Sequence, residues 1–318
     1  MSDYVKDKVL LVGPGNIGYD YVKVLKSFYV DIDIVGRSRE SSIKFSEKTN
    51  LPVYGAGIDS YLGKNEPPKY AIVAVNENQL SGVTLSLLNH GVKNILIEKP
   101  AGLSISELIN IKSKMAEDCK VYVGYNRRFY RSVEECRRFI KINKEPISVN
   151  FEFTEWVHDI NFKHYTKNEL ERFFLCNSSH VVDLVFHLFG EPKELNSYTR
   201  GSLDWHSPSI FTGSGVTVND VLFSYNTNWS SSGRWGIEIL FSNFKLILKP
   251  LEKLYIQYVG SLQSEEVELD GDLDYDYKPG LYNEIKSFFG KSNVYLCSID
   301  EHINNFKWYY KISSYKDV

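Results

Sequence analysis

The sequence predicts an α/β chain in two parts: a doubly wound parallel sheet over residues 1–124, then an α+β part over residues 125–318 built on a mostly antiparallel or mixed open sheet. Three observations carry this. An apolar run at residues 9–12 ends directly in Gly13-Pro14-Gly15-Asn16-Ile17-Gly18. Apolar runs then alternate with helical segments as far as Gly124, the pattern of a parallel sheet covered on both faces. From residue 147 the texture changes to period-two alternation, which marks strands with one covered face.

The glycine motif stands between the first strand and a helix carrying Val22, Val24 and Leu25 toward the sheet. Gly13 permits the tight turn, Gly15 lets the backbone approach a pyrophosphate, and Gly18 brings the helix close to the strand. The first-turn N–H groups, from Asn16 and Ile17 onward, would face the phosphates. The segment therefore reads as a Rossmann dinucleotide site. The next strand, residues 30–35, runs into Gly36-Arg37-Ser38-Arg39. A fold that selects NAD usually carries Asp or Glu here for the ribose 2′-OH. Guanidiniums and a hydroxyl stand there instead, and Arg suits the fork geometry of phosphate oxygens. The expected cofactor is NADP, with NAD possible; a solvated basic turn is the plain alternative for these residues.

Further strands are expected at residues 70–75, 94–97 and 120–123, with a helix at 80–88. Ser104 and Glu107 have capping-box spacing and open a helix running to Met115. In the second part, alternation recurs at 147–156, 216–225, 237–241, 246–248 and 254–259. Helices are expected at 178–189, 281–289 and after Ser298, where Ser298 and Glu301 repeat the capping-box spacing. Residues 175–190 read as one helix stopped by Gly190, with Pro192 beyond. Cys176, His180, Asp183 and His187 follow at i, i+4, i+7 and i+11, near one helix face. Residue type alone would allow a metal site or a Cys–His nucleophile pair. The spacing is not H-E-x-x-H, however, and nothing evident orients the imidazole, so no metal is expected.

At the carboxyl end of the 94–97 strand stands Glu98-Lys99-Pro100, where open parallel sheets bind their ligands. With the N-terminal G-x-G-x-x-G, this E-K-P and the later Gly124-Tyr125-Asn126-Arg127-Arg128-Phe129, the chain resembles the glucose–fructose oxidoreductase/inositol dehydrogenase (Gfo/Idh/MocA) family. The similarity extends to the helix around His180 and to Lys278-Pro279-Gly280. The resemblance implies that Lys99 hydrogen-bonds the reacting oxygen and that His180 donates a proton or contacts substrate. It implies that Val75, Asn76, Asn78, Glu98 and Lys99 join the cofactor site, and that Tyr125, Arg128, Trp156, Cys176 and His180 line the substrate site. An ammonium beside a carbonyl would stabilise the charge that develops as hydride arrives. Two departures stand out. Cys176 occupies the place of the family's usual aspartate four residues before the histidine, and T-P-N-x-x-H becomes Asn76-Glu77-Asn78-Gln79-Leu80-Ser81.

A net charge of −3 over 318 residues gives no general attraction to nucleic acid or membrane. The four cysteines show no paired spacing and fit reduced thiols in a cytoplasmic protein. Residues 1–8 lack the apolar core of a signal peptide, and no run is long enough to span a bilayer. The expectation is an NADP-dependent dehydrogenase or reductase acting on a secondary hydroxyl or keto carbon of a sugar, nucleotide sugar or polyol. Glu152, Glu155 and Trp156 are candidate pocket residues from the second-part sheet, through which a homodimer or homotetramer would form. The alternatives are a cofactor-binding regulator without turnover, or an imine reductase.

Overall fold

The computed structural model describes residues 7–143, 148–269, 271 and 273–316. Residues 1–6 of the N-terminal segment and Ile147, the first residue of one expected strand, lie outside these. The chain forms two compact units, Met1–Gly124 with Asp276–Asn304, and Tyr125–Tyr275 with Asn305–Val318. Residues 276–304, which follow the second unit's strands in sequence, are grouped with the first unit.

The first unit holds a sheet of β1 (Lys8–Val12), β2 (Asp31–Val35), β3 (Val53–Tyr54), β4 (Tyr70–Val73), β5 (Asn94–Glu98) and β6 (Lys120–Gly124). Their spatial order is β6-β5-β4-β1-β2-β3, all parallel, with the short strand Cys297–Ser298 added antiparallel beside β6. This is the Rossmann order, and chain direction across the sheet reverses between β1 and β4. Crossovers run through α1 (Asn16–Ser27), α2 (Arg39–Thr49), α3 (Ile58–Leu62), α4 (Leu80–Asn89) and α5 (Ile105–Lys114). The α5 capping box is present in both directions between Ser104 and Glu107. Helix Leu281–Phe288 returns to this unit because aromatic rings bury one another: Phe28 lies 4.9 Å from Tyr282 and 5.4 Å from Phe289 between ring centroids.

The second unit is built on β7 (Ser148–Glu152), β8 (Pro192–Arg200), β9 (Ile210–Thr217), β10 (Leu222–Asn228), β11 (Gly236–Leu240), β12 (Phe244–Leu248), β13 (Tyr255–Tyr258) and β14 (Glu265–Glu266). Their order is β14-β13-β12-β11-β7-β10-β9-β8, antiparallel throughout except for β7 with β10. Val149, Phe151, Phe223, Ile237 and Ile239 form a buried face, while Asn150, Thr212 and Asn226 stay exposed on the other. The helices of this unit include α6 (Arg131–Asn143), α7 (Lys167–Glu171) and α8 (Ser179–Phe189).

Two expectations are corrected. The single strand expected at 216–225 is the end of β9 and the start of β10, joined by a turn in which Asp220 has φ 59°. Thr217 Oγ1 accepts from the N–H groups of Asn219 and Val221 at 3.3 and 3.2 Å, so local hydrogen bonds override an alternation that continues across the turn. The helix expected at 175–190 begins as a π turn at Phe174–Ser178 before α8 takes over. Cys176 therefore does not share the α-helical register that would align it with His180.

Candidate functional site

In the first unit a cavity of about 500 Å³ opens where β1 and β4 end, lined by residues 12–15, 35–38, 41, 56–60, 74–76, 79 and 83. The glycines explain its shape. At Gly13, φ is +116° and a Cβ would stand 2.2 Å from the Ala74 carbonyl oxygen, so only glycine closes this turn. A Cβ at Gly18 would stand 2.6 Å from the Gly13 carbonyl oxygen, which holds α1 close to β1. A Cβ at Gly15 would meet nothing within 4 Å; the backbone there faces open space. No side chain caps α1 and no acidic residue lies in its first turn, so its N-terminal N–H groups suit a phosphate. These residues fit a dinucleotide.

Of the expected cofactor residues, Gly13, Gly15, Arg37, Ser38, Val75 and Asn76 line this cavity, whereas Asn16, Ile17, Gly18, Arg39, Asn78, Glu98 and Lys99 do not. Sequence reading missed the 56–60 loop, including exposed Asp59, which brings a carboxylate into the cavity that holds Arg37. Its local signal was Gly55-Ala56-Gly57 before α3. Arg37 makes no hydrogen bond or ion pair among the described residues. Ser38 is the N-cap of α2, yet its hydroxyl does not cap the helix.

Lys99 follows β5 and is held through both chain neighbours. Tyr21, fully buried on α1, donates to Glu98 Oε1 at 2.8 Å. Burial, then the Glu98 and Glu284 carboxylates, hold the Tyr21 phenol proton well above its usual range. On the other side His302 Nε2 donates to the Pro100 carbonyl oxygen at 2.9 Å. Lys99 Nζ lies 3.9 Å from Glu77 Oε1, so the departure from T-P-N brings the lysine a carboxylate neighbour. Neither Glu77 nor His302 had a role in the sequence reading.

The second unit gathers the other candidates. Arg128, expected among substrate ligands, is instead 1% exposed. It donates to both Asp183 oxygens, Nε to Oδ2 at 2.7 Å and Nη2 to Oδ1 at 2.5 Å. A buried bidentate pair of this kind ties the 126–129 turn to α8. Tyr125 is buried as well, its hydroxyl 3.4 Å from Ser179 Oγ and its ring 5.5 Å from that of His180. The Cys176 thiol donates to the Glu169 carbonyl oxygen at 3.6 Å. Half-buried His187, near Arg128 and Arg137, is pushed down to about 2 by desolvation and those cations.

Half-buried Arg127, rather than Arg128, reaches His180: its Nη1 is 2.9 Å from Nε2 and donates to Asn126 Oδ1 at 2.7 Å. A guanidinium only donates, so His180 Nε2 is the acceptor and the ring proton sits on Nδ1. The Arg127 guanidinium also lies 5.3 Å from the Trp235 ring centroid, and Arg234 lies 5.1 Å from the same ring and 4.4 Å from that of Trp156. Trp156 is 45% exposed. Glu155 is buried, accepting from Asn177 Nδ2 at 2.8 Å and Ser178 Oγ at 2.5 Å. Burial pushes its carboxyl up to about 7 despite the opposing pull of Ser178 and Arg234. Glu152 is instead paired with Lys249 at 2.6 Å. Among the described residues no three of His, Cys, Asp or Glu are grouped to hold a metal ion. No helix among them is long and apolar enough to cross a membrane.

Comparison with known proteins agrees with this architecture. No curated protein sequence matches the chain. A putative NADPH-dependent oxidoreductase from Desulfitobacterium hafniense has a TM-score of 0.77 at 15% identity, covering 96% of this chain and 94% of its own. An oxidoreductase from Agrobacterium radiobacter, solved with NAD+, L-tartaric acid and magnesium, has 0.79 at 12% identity over 98% and 97%. The UDP-N-acetylglucosamine 3-dehydrogenase of Acidithiobacillus ferrooxidans has 0.74 at 15% identity over 98% and 97%. At such identities the likeness is one of fold. Residues 8–125 match the GFO_IDH_MocA family model, described as an oxidoreductase family with an NAD-binding Rossmann fold.

Proposed function

We propose that the chain is an NADP(H)-preferring oxidoreductase that moves a hydride between the nicotinamide and a secondary hydroxyl or keto carbon of a sugar, nucleotide sugar or polyol. The observation that carries this is Lys99, fixed through Glu98 and Pro100 at the carboxyl end of β5 in an NAD-binding domain. A nicotinamide dinucleotide, when bound, supplies or accepts the hydride. The Lys99 ammonium stabilises negative charge on the reacting oxygen. His180, held at Nε2 by Arg127, is the residue we assign to proton donation or substrate contact. Arg37 and the uncapped Ser38 hydroxyl favour a 2′-phosphate, and Asp59 in the same cavity works against it. The carbohydrate class draws support from the nucleotide-sugar dehydrogenase of like fold. We place the protein in the cytoplasm as a homo-oligomer joined through the exposed face of the second-unit sheet.

Nicotinamide absorbance, followed with keto-sugars, nucleotide keto-sugars and their alcohols in the presence of either dinucleotide, tests this reading. Turnover with at least one carbohydrate is expected. Tight dinucleotide binding with no turnover across the panel would overturn it in favour of a cofactor-binding regulator, the reading favoured by Cys176 in place of the usual carboxylate.

A further inference from the structure

Arg127 and Arg234 are both half-buried, both lie against Trp235, and neither forms an ion pair among the described residues. Arg127 Nε is shielded from solvent and has no hydrogen-bond partner among those residues. The contrast with Arg128 is instructive, since that neighbour is fully neutralised by Asp183. Each guanidinium is partly desolvated against the ring, a cost that an anion bound beside it offsets. Guanidinium is also the side chain best matched to carboxylate and phosphate oxygens. Beside Arg234, the exposed ring of Trp156 offers an apolar platform, fixed by its Nε1 donating to the Gly233 carbonyl oxygen at 2.9 Å.

From this we infer that the second unit binds the anionic group of its substrate, a carboxylate or phosphate carried on the sugar, through Arg127 and Arg234. This rests on the carbohydrate reading above and narrows it to acidic or phosphate-bearing sugars. Trp156 then covers an apolar ring face while the arginines hold the charge.

Isothermal titration of the whole protein, saturated with NADPH, separates the possibilities. The probes are UDP-N-acetylglucosamine, glucuronate and neutral N-acetylglucosamine. At least one charged probe should bind well ahead of the neutral sugar, and which one binds identifies phosphate or carboxylate as the source. Arg234→Gln should weaken the charged probe roughly tenfold or more, and Arg234→Lys less, with unchanged NADPH affinity and melting temperature. Binding of the neutral sugar as tight as that of the charged ones, no binding of either charged probe, or an Arg234→Gln variant as tight as wild type would each overturn the inference. Binding that follows this pattern without any turnover would sink only the oxidoreductase reading.

Discussion

A single side chain, Arg37, sets the expected dinucleotide preference. It lines the cavity without a partner among the described residues, and one charge-assisted contact contributes about 1.5 to 3 kcal/mol, roughly tenfold or more in affinity. NADPH should therefore bind more tightly than NADH, and Arg37→Asp should narrow or reverse the gap in a fluorescence titration. Equal affinities in the wild type would count against the 2′-phosphate site. A second residue, Glu155, controls stability through its proton. Its folded value of about 7 lies above the ordinary 4.5, so the folded state prefers the neutral carboxyl. Below about pH 4.5 this group costs nothing; as pH rises through 7 the folded state loses up to about 3 kcal/mol from it. Glu155→Gln should remove that slope, so wild-type and variant urea midpoints should diverge between about pH 5 and 8. Parallel profiles would show that the carboxyl titrates normally. Arg37 was legible because its meaning is local to one turn. Asp59, Glu77 and His302 were not, because each acquires its role from a residue distant in sequence or brought close only by folding.

Elements decide how firmly Lys99 is aimed. Helix α1 supplies Tyr21 to Glu98, and the helix Ile299–Ser313 supplies His302 to Pro100, so the loop is pinned on either side of the lysine. Lys99→Ala should lower turnover by about two or more orders of magnitude while leaving dinucleotide affinity nearly unchanged. Tyr21→Phe keeps the ring but removes the donor to Glu98. It should lower kcat more than it raises KM, because it loosens orientation rather than binding. A Tyr21→Phe enzyme with unaltered kcat would show that the bond only fills a buried space. The elements most legible in sequence were those with strong local marks, such as the strand before Gly13 and the α5 capping box. The π turn at Phe174–Ser178 was not legible, since hydrophobic spacing cannot distinguish one extra residue in a turn from continuous α-helix. Short α2, α3 and β3 escaped for a related reason: each is too brief or too polar to show a period.

The whole chain presents an asymmetry that the second-unit sheet makes plain. One face of its eight strands buries Val149, Phe151, Phe223, Ile237 and Ile239, and α8 packs on that side. The opposite face carries Asn150, Thr212, Ser214, Ser224 and Asn226, shaped into a concavity of about 580 Å³ with Tyr198 69% exposed at its border. The alternation along each strand was visible in sequence, but strand order was not, because β8 reaches the edge beside β9 and β7 is inserted between β10 and β11. That order spreads short polar side chains over one broad area whose charges stand in pairs, Glu152 with Lys249 and Glu238 with Lys245. Such a surface can meet a second copy without burying unpaired ions, and a stable interface needs about 800 Å² from each partner. The expected species in analytical ultracentrifugation is therefore a dimer or tetramer. Thr212→Arg combined with Ser224→Arg should bring four like charges together across a two-fold contact and release monomers, with the fold preserved by circular dichroism. A wild type that sediments as a monomer, or a double variant that stays assembled, would place the interface elsewhere or remove it.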